Sequence, residues 1–264
     1  MLRPSLVPGM LTAIAGNLHR DLREARLFEQ GHTFQAAEPT GEAVSEVREV
    51  ASLALGVTRA ELRATALVGA EDAPIYELKG AVESLVGLFT LPGGAASLRF
   101  ETAGLPAWIE PGRGGRALLH GEPLAVFGEL ARAEQGRRKL RQPVYLASIA
   151  VEMLFGLPLR EHTARELSRF QAVERDFSFV FRDETEWHTV AAAIHALALP
   201  DLERLEPIEI FRDAKGKAIP VGEHSLLLRA TFQSQTRTLT EADLTEASAR
   251  IIAALTALGG THRA

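Results

Sequence analysis

The chain has 264 residues, 46% of them hydrophobic, and its 29 Lys and Arg stand against 34 Asp and Glu for a formal net charge of −5. Such a length can bury a sizeable core and suggests about two domains. The negative balance argues against a protein that coats nucleic acid by bulk charge, so any RNA contact has to be local and shaped. The complete lack of Cys excludes disulfides, thiolate chemistry and Cys-type zinc sites, and fits a reducing compartment. No apolar run approaches a membrane span, and the first residues do not read as a signal peptide.

Leu6, Met10, Ile14, Leu18 and Leu22 recur every four residues, which predicts an opening amphipathic helix introduced by Pro4 and Ser5. Arg26 to Phe34 can form a strand, Gln35 to Ser45 a polar loop, and Val47 to Val57 a second strand. Tyr76 to Phe89 follows as a helix with Leu78, Val82, Leu85, Val86 and Phe89 inward. Strand-like runs come near Leu98 to Glu101, Arg116 to His120, Pro123 to Leu130 and Val144 to Leu154, separated by Gly and Pro. Strands joined in succession with few helical crossovers predict an antiparallel sheet flanked by helices, hence an α+β fold. The seam between domains is expected between Leu157 and Phe170.

The last third carries the sharpest pattern. Phe177, Phe179 and Phe181 alternate as a half-buried strand requires, and Val190, Ile194 and Leu197 follow at helical spacing. Leu202 to Phe211 reads as a strand with Ile208 and Ile210 inward and Glu209 and Phe211 on the other face. A hairpin connection rich in Gly and Pro, Asp213 to Gly222, leads to the strand His224 to Phe232. Thr240 caps the next helix, with Asp243 three residues on completing a capping-box pair. Leu244, Ala247, Ile251 and Leu255 form its stripe, Gly259 and Gly260 end it, and a short terminal strand can follow. The order β-α-β-β-α-β is that of the split βαβ, or ferredoxin-like, module, whose sheet has one face covered by helices and one free to bind.

Leu2-Arg3-Pro4-Ser5-Leu6-Val7-Pro8-Gly9, then Asn17 with Arg20, then Leu27-Phe28-Glu29 with Gly31 and Phe34, resembles the LRPSLLPGLL…N..R….LFE.G..F signature of the bacterial phenylalanyl-tRNA synthetase beta subunit. The likeness continues through Leu78-Lys79-Gly80 with Glu83, Pro111-Gly112-Arg113 and Phe127-Gly128-Glu129-Leu130. It closes on Arg175-Asp176, Ser225-Leu226 and Arg237-Thr238-Leu239-Thr240. Departures are Glu110 where the family usually has His, Leu130-Ala131-Arg132 for Leu-His-Pro, and Gly259-Gly260-Thr261-His262-Arg263 for the terminal Gly-Ala-x-Leu-Arg.

The resemblance implies the C-terminal portion of such a subunit. Residues 1–157 would be a class II synthetase catalytic-like but non-catalytic domain, and residues 170–264 a ferredoxin-fold anticodon-binding domain. Met1 falls inside the family signature, so an expressed fragment or truncated gene product is expected. The implied partners are a catalytic alpha subunit, in a cytoplasmic heterotetramer, and tRNA, with neither membrane nor DNA. The whole enzyme would be an ATP-dependent ligase joining phenylalanine to tRNA; this chain would bind no cofactor, ATP and Mg²⁺ sitting at the partner's active site. The rival expectation is a stand-alone RNA-binding or assembly module, and a weaker one an independent small-molecule enzyme.

Catalytic constellations are sparse. Pro111-Gly112-Arg113-Gly114-Gly115-Arg116 can cradle phosphate, but no P-loop lysine-serine follows, and a tight turn between strands is the preferred reading. His188 and His195 lie seven apart without metal-ligand spacing, and Ser5, Ser84 and Ser225 lack a nucleophile elbow. Glu71 and Asp72 read as a solvated turn. No catalytic or metal-binding residue is therefore assigned. The expected tRNA contacts are Phe211, Arg229, Ser225, Ser178, Lys215, Lys217 and Arg237: an exposed aromatic beside a cation suits unpaired bases. The competing reading has Phe211 packed under the hairpin and Arg229 paired with Glu209. Leu6, Met10, Ile14 and Phe28 are expected at a subunit interface. The run Arg137-Arg138-Lys139 with Arg141 can meet RNA backbone or a partner, although short charge runs are usually solvated.

Overall fold

In the computed structural model, which describes residues 2–36, 47–59, 61, 63–69, 72–161, 164, 166–213 and 215–263, the first helix α1 spans Val7–Leu18. The Val7 amide donates to Ser5 Oγ at 3.1 Å, and a proline occupies the first turn, where no intrahelical N–H bond is lost. The helix ends before Leu22 because Asp21 takes a left-handed φ of 61°. Strands β1 (Glu24–Ala36) and β2 (Val47–Arg59) pair antiparallel along their whole length, Glu24 opposite Arg59 and Ala36 opposite Val47. The expected polar loop between them lies, in its 37–45 part, outside the described residues.

Helix α2 (Ala73–Val86) leads to β3 (Leu98–Glu101), β4 (Ile109–Leu119), β5 (Glu122–Leu130), helix α3 (Arg132–Arg137) and β6 (Val144–Ile149), after which Val151–Leu154 forms a 3₁₀ turn. The six-stranded antiparallel sheet has the order β1-β2-β6-β5-β4-β3. Period-2 alternation divides its two faces. Leu53, Leu55, Val57, Tyr145, Ala147 and Ile149 pack with Leu78, Val82 and Val86 of α2. Ala54, Val144 and Leu146 meet Leu6, Val7, Met10, Leu11 and Ile14 of α1 and the turn before it. Burial of each large apolar side chain contributes about 1.5–3 kcal/mol, so the sheet is held from both sides.

Two local departures from the sequence reading have physical causes. The Gly-rich segment lies inside β4, not in a turn between strands: the register shifts between Ile109 and Gly114, and Gly112 has φ 75°. Beyond the bulge Gly114 sits opposite Gly128, and a Cβ on either would fall 2.5 Å from a carbonyl oxygen of the facing strand. The cationic run, for its part, contributes Arg137 to α3 and turns at Lys139, whose φ is 54°.

The chain divides into two units, Met1–Arg63 with Ala70–His162, and Ala64–Gly69 with Thr163–Ala264. The second unit contains β7 (Val173–Arg182), α4 (Trp187–His195), β8 (Leu202–Phe211), β9 (Glu223–Phe232), α5 (Glu241–Ala257) and β10 (Thr261–Arg263), with strand order β10-β7-β9-β8. Phe177, Phe179, Phe181, Leu226, Leu228, Ala230 and Phe232 form the inner face under Val190, Ile194, Leu244, Ile251 and Leu255. Thr240 and Asp243 complete the capping box at the start of α5. The short segment 64–69 was not anticipated in this unit; the Ala66 carbonyl accepts from the Ile210 amide at 3.1 Å, which blunts the free edge of β8.

Candidate nucleic-acid interface

The helices cover only one face of the second sheet, and cross-strand register sets what the other face displays. Directly opposed residues share a face. One row across the sheet therefore reads Thr261, Val180, Ser225 and Phe211, and the next Arg263, Ser178, Leu227 and Glu209. Phe211 is 47% exposed, so it is not packed under the hairpin. A bulge between Pro207 and Glu209 makes Ile208 the extra residue of β8, and Leu205 and Ile210, rather than Ile208 and Ile210, join the core. The bulge also aims Phe211 beside Ser225 on the free face.

Further along, the same face is sealed by charge. Arg229 donates to both carboxylate oxygens of Asp176 at 2.7 and 2.8 Å, and its Nη1 lies 2.9 Å from Glu174. The hydrogen bond to Asp176, with the charges of Asp176, Glu174 and Glu206, raises the guanidinium above its ordinary pKa; in return Arg229 holds the Asp176 carboxyl below the usual carboxylate range. Arg229 thus pairs across β7 and β9, with Asp176 and Glu174 instead of Glu209. Its donors are committed, which removes it from the residues free to grip phosphate. Arg237 is likewise engaged, donating to Asp243 at 2.6 and 2.9 Å and bracing the capping box.

The two expected lysines fare differently. The Asp213 carboxylate accepts from the backbone amides of Lys215, Lys217 and Ala218 at 2.9, 2.8 and 2.7 Å. Those bonds, that from Ala218 foremost, hold its pKa below the ordinary value and fix the loop. The side chains of Lys215 and Lys217 stay exposed. The loop joins β8 to β9 at the end where Phe211, Ser225 and Val180 lie, so aromatic, hydroxyl and cation come together there, while Arg229 and Arg237 do not join them. Sequence reasoning missed Val180 and Arg263. The Thr-His-Arg alternation after Gly259-Gly260 is the signal that places Arg263 on this face, since His262 turns inward onto Phe179 at 4.9 Å between centroids.

In the first unit, Leu6, Met10 and Ile14 are 1%, 2% and 0% exposed against their own sheet. Being internal, they are corrected from interface residues to core residues; Phe28, 76% exposed on β1, remains available to a partner. The Arg113 guanidinium bonds to Glu129 and, at 3.0 Å, to Asp72. Burial opposes its charge, yet the Glu129 bond and the two carboxylate charges outweigh that and keep its pKa raised. Carboxylates thus occupy the cation of the expected phosphate cradle. A shallow pocket on the α1 side of the sheet is lined by Thr33, Ser52, Ser148 and apolar side chains, with Thr33 Oγ1 3.0 Å from Ser52 Oγ.

The geometry defines a two-unit α+β protein whose second unit is a ferredoxin-like platform with an uncovered face. The family model "Phenylalanyl tRNA synthetase beta chain CLM domain" matches residues 1–151, and "Ferredoxin-fold anticodon binding domain" matches residues 168–263. The phenylalanine–tRNA ligase beta subunit of Symbiobacterium thermophilum is 31% identical over 99% of this chain and 28% of its own length. Those of Xylella fastidiosa strain Temecula1 and Rhodospirillum rubrum are each 30% identical, over 97% and 98% of this chain and 30% and 31% of theirs. The chain belongs to the phenylalanyl-tRNA synthetase beta-chain family. It spans less than a third of the length of these curated relatives. Among the described residues, no helix is long and apolar enough to cross a membrane.

Proposed function

We propose that this chain supports ATP-dependent attachment of phenylalanine to tRNA in the cytoplasm without performing the chemistry. Its second unit binds the anticodon region: an unpaired base stacks on Phe211 beside Ser225 and Val180, Ser178 and Arg263 line the next row, and Lys215 and Lys217 neutralise the adjoining phosphates. Stacking on one aromatic is worth about 1–3 kcal/mol per base. The first unit packs on a catalytic alpha subunit, to which Phe28 contributes, and that partner holds ATP and Mg²⁺. The observation that carries the reading is the free sheet face with a half-exposed Phe211 in a domain of the anticodon-binding family.

Activation of an amino acid needs cations on the ATP phosphates and carboxylates for Mg²⁺. In the first unit Arg113 is held by Glu129 and Asp72, which supports a supporting rather than a catalytic role. The test is titration of labelled phenylalanine tRNA with the chain and its Phe211→Ala variant, together with pyrophosphate exchange with and without the catalytic subunit. The expected result is an affinity at least fivefold lower for the variant and exchange only when the catalytic subunit is added. Exchange by the chain alone, or equal affinities, would overturn the proposal. RNA binding without recruitment of a catalytic subunit would instead identify a free-standing module.

A further inference from the structure

A cluster of cations on the first unit is used by none of the above. Arg20 and Arg23 follow α1, and Arg138, Lys139 and Arg141 follow α3. Structure brings the two segments together. The Gln142 side chain donates to the Arg23 carbonyl at 3.0 Å, and Leu18 and Leu140 pack against the same core. Left-handed residues, Asp21 and Lys139, turn the chain sharply in both segments.

The charge is unbalanced locally in a protein whose net charge is −5. Arg20, Arg23, Lys139 and Arg141 are exposed and form no ion pair among the described residues, and the Nε of Arg138 is buried without a hydrogen-bond partner. The nearby carboxylates do little to offset this. Glu134 is taken by Arg137 at 3.0 Å, and Glu24 reaches toward Arg26 and Arg59, each at 4.0 Å, which leaves Asp21. Four of the five cations are arginines, whose planar forks match phosphate oxygens.

We infer that residues 20–23 and 138–141 form a second RNA-binding surface, one that takes the phosphate backbone of folded RNA outside the anticodon stem-loop. A cationic surface without an aromatic platform reads charge and spacing, not sequence, and contributes through release of counterions. The inference rests on the reading of this chain as tRNA-binding, and the probes separate the two. The full chain carrying Arg20→Gln, Arg23→Gln, Lys139→Asn and Arg141→Gln is titrated with whole tRNA, an acceptor-arm minihelix and an anticodon stem-loop over a range of salt. Asn is chosen at 139 because it tolerates the left-handed backbone.

The variant is expected to bind whole tRNA and minihelix at least tenfold more weakly at low salt. Its slope of log affinity against log salt for whole tRNA should be shallower by about 3, from roughly 0.9 per lost phosphate contact. Its binding to the anticodon stem-loop should be unchanged, whereas Phe211→Ala loses the stem-loop and keeps the minihelix. An unchanged slope would overturn the inference. Equal weakening on all three RNAs with a lowered unfolding midpoint would also overturn it, by showing that the cations serve the helix ends. Loss of assembly with the catalytic subunit at an unchanged RNA slope would overturn it in favour of an acidic protein partner.

Discussion

Replacing Ile14 by Ala separates a core helix from an interface helix. Ile14 is 0% exposed, and its Cδ1 lies over Gly56 of β2, where an added Cβ would approach it to 2.6 Å. The change removes three carbons, about 2.4 kcal/mol at roughly 0.8 per buried carbon. The cavity closes only in part, because α1 is held at both ends of its stripe, so a total of about 3–4 kcal/mol is expected. Gly56→Ala should cost about 1–3 kcal/mol by overpacking. Ile14→Val deletes the offending Cδ1, so the Gly56→Ala, Ile14→Val double variant should be more stable than the sum of the singles by about 1 kcal/mol. Urea unfolding of the isolated chain, followed by circular dichroism, measures all of these. Phe28→Ala, at an exposed position, should move the midpoint by less than about 0.5 kcal/mol. An isolated chain indifferent to Ile14→Ala would refute the burial argument and return α1 to the interface.

The Arg229 and Asp176 pair should behave as a brace: Arg229→Ala and Asp176→Asn each lower the urea midpoint, and the double variant loses less than their sum. Because Asp176 is held below its unfolded value of about 3.9, its contribution is present above that pH and fades as pH falls through the folded value; additivity in the cycle at neutral pH would remove the pair. His224 is buried, which with the charge of Arg212 lowers its pKa against the opposing pull of Asp183. The folded state therefore resists a proton that the unfolded chain accepts below about 6.5, and stability should fall as pH drops from there toward the folded value. His224→Gln should flatten that window in pH-dependent melting, and an unaltered slope would exclude His224 as its source. Thr240→Ala, which removes the acceptor for the Asp243 amide, should cost about 1 kcal/mol in thermal unfolding; no measurable change would mean the cap is redundant.

Periodic elements were legible where one face is buried. The aromatic alternation of β7, the capping box of α5 and the bounds Leu202–Phe211 of β8 all follow from local pattern. What pattern cannot give is the identity of the covering layer. The stripe of Leu6, Met10 and Ile14 reads alike whether it faces its own sheet or a partner, and only the position of Gly56 under Ile14 decides. The bulge at Ile208 was hidden for a related reason, since two neighbouring isoleucines both read as inward until the pairing of Pro207 and Glu209 shows an extra residue between them. Arg229 was placed on the correct face, but its partner depends on β7 lying beside β9, a long-range fact. Segment 64–69 has no periodicity at all and declares itself only through the bond from Ile210 to Ala66.

The central claim is that the uncovered face of the second sheet grips the anticodon region. Chemical footprinting of phenylalanine tRNA with the full chain tests it most directly. Protection of anticodon-loop bases that disappears with Phe211→Ala but persists with Phe28→Ala is the predicted result. An anticodon loop as reactive with the chain as without it, under conditions where the RNA is bound, would contradict the account.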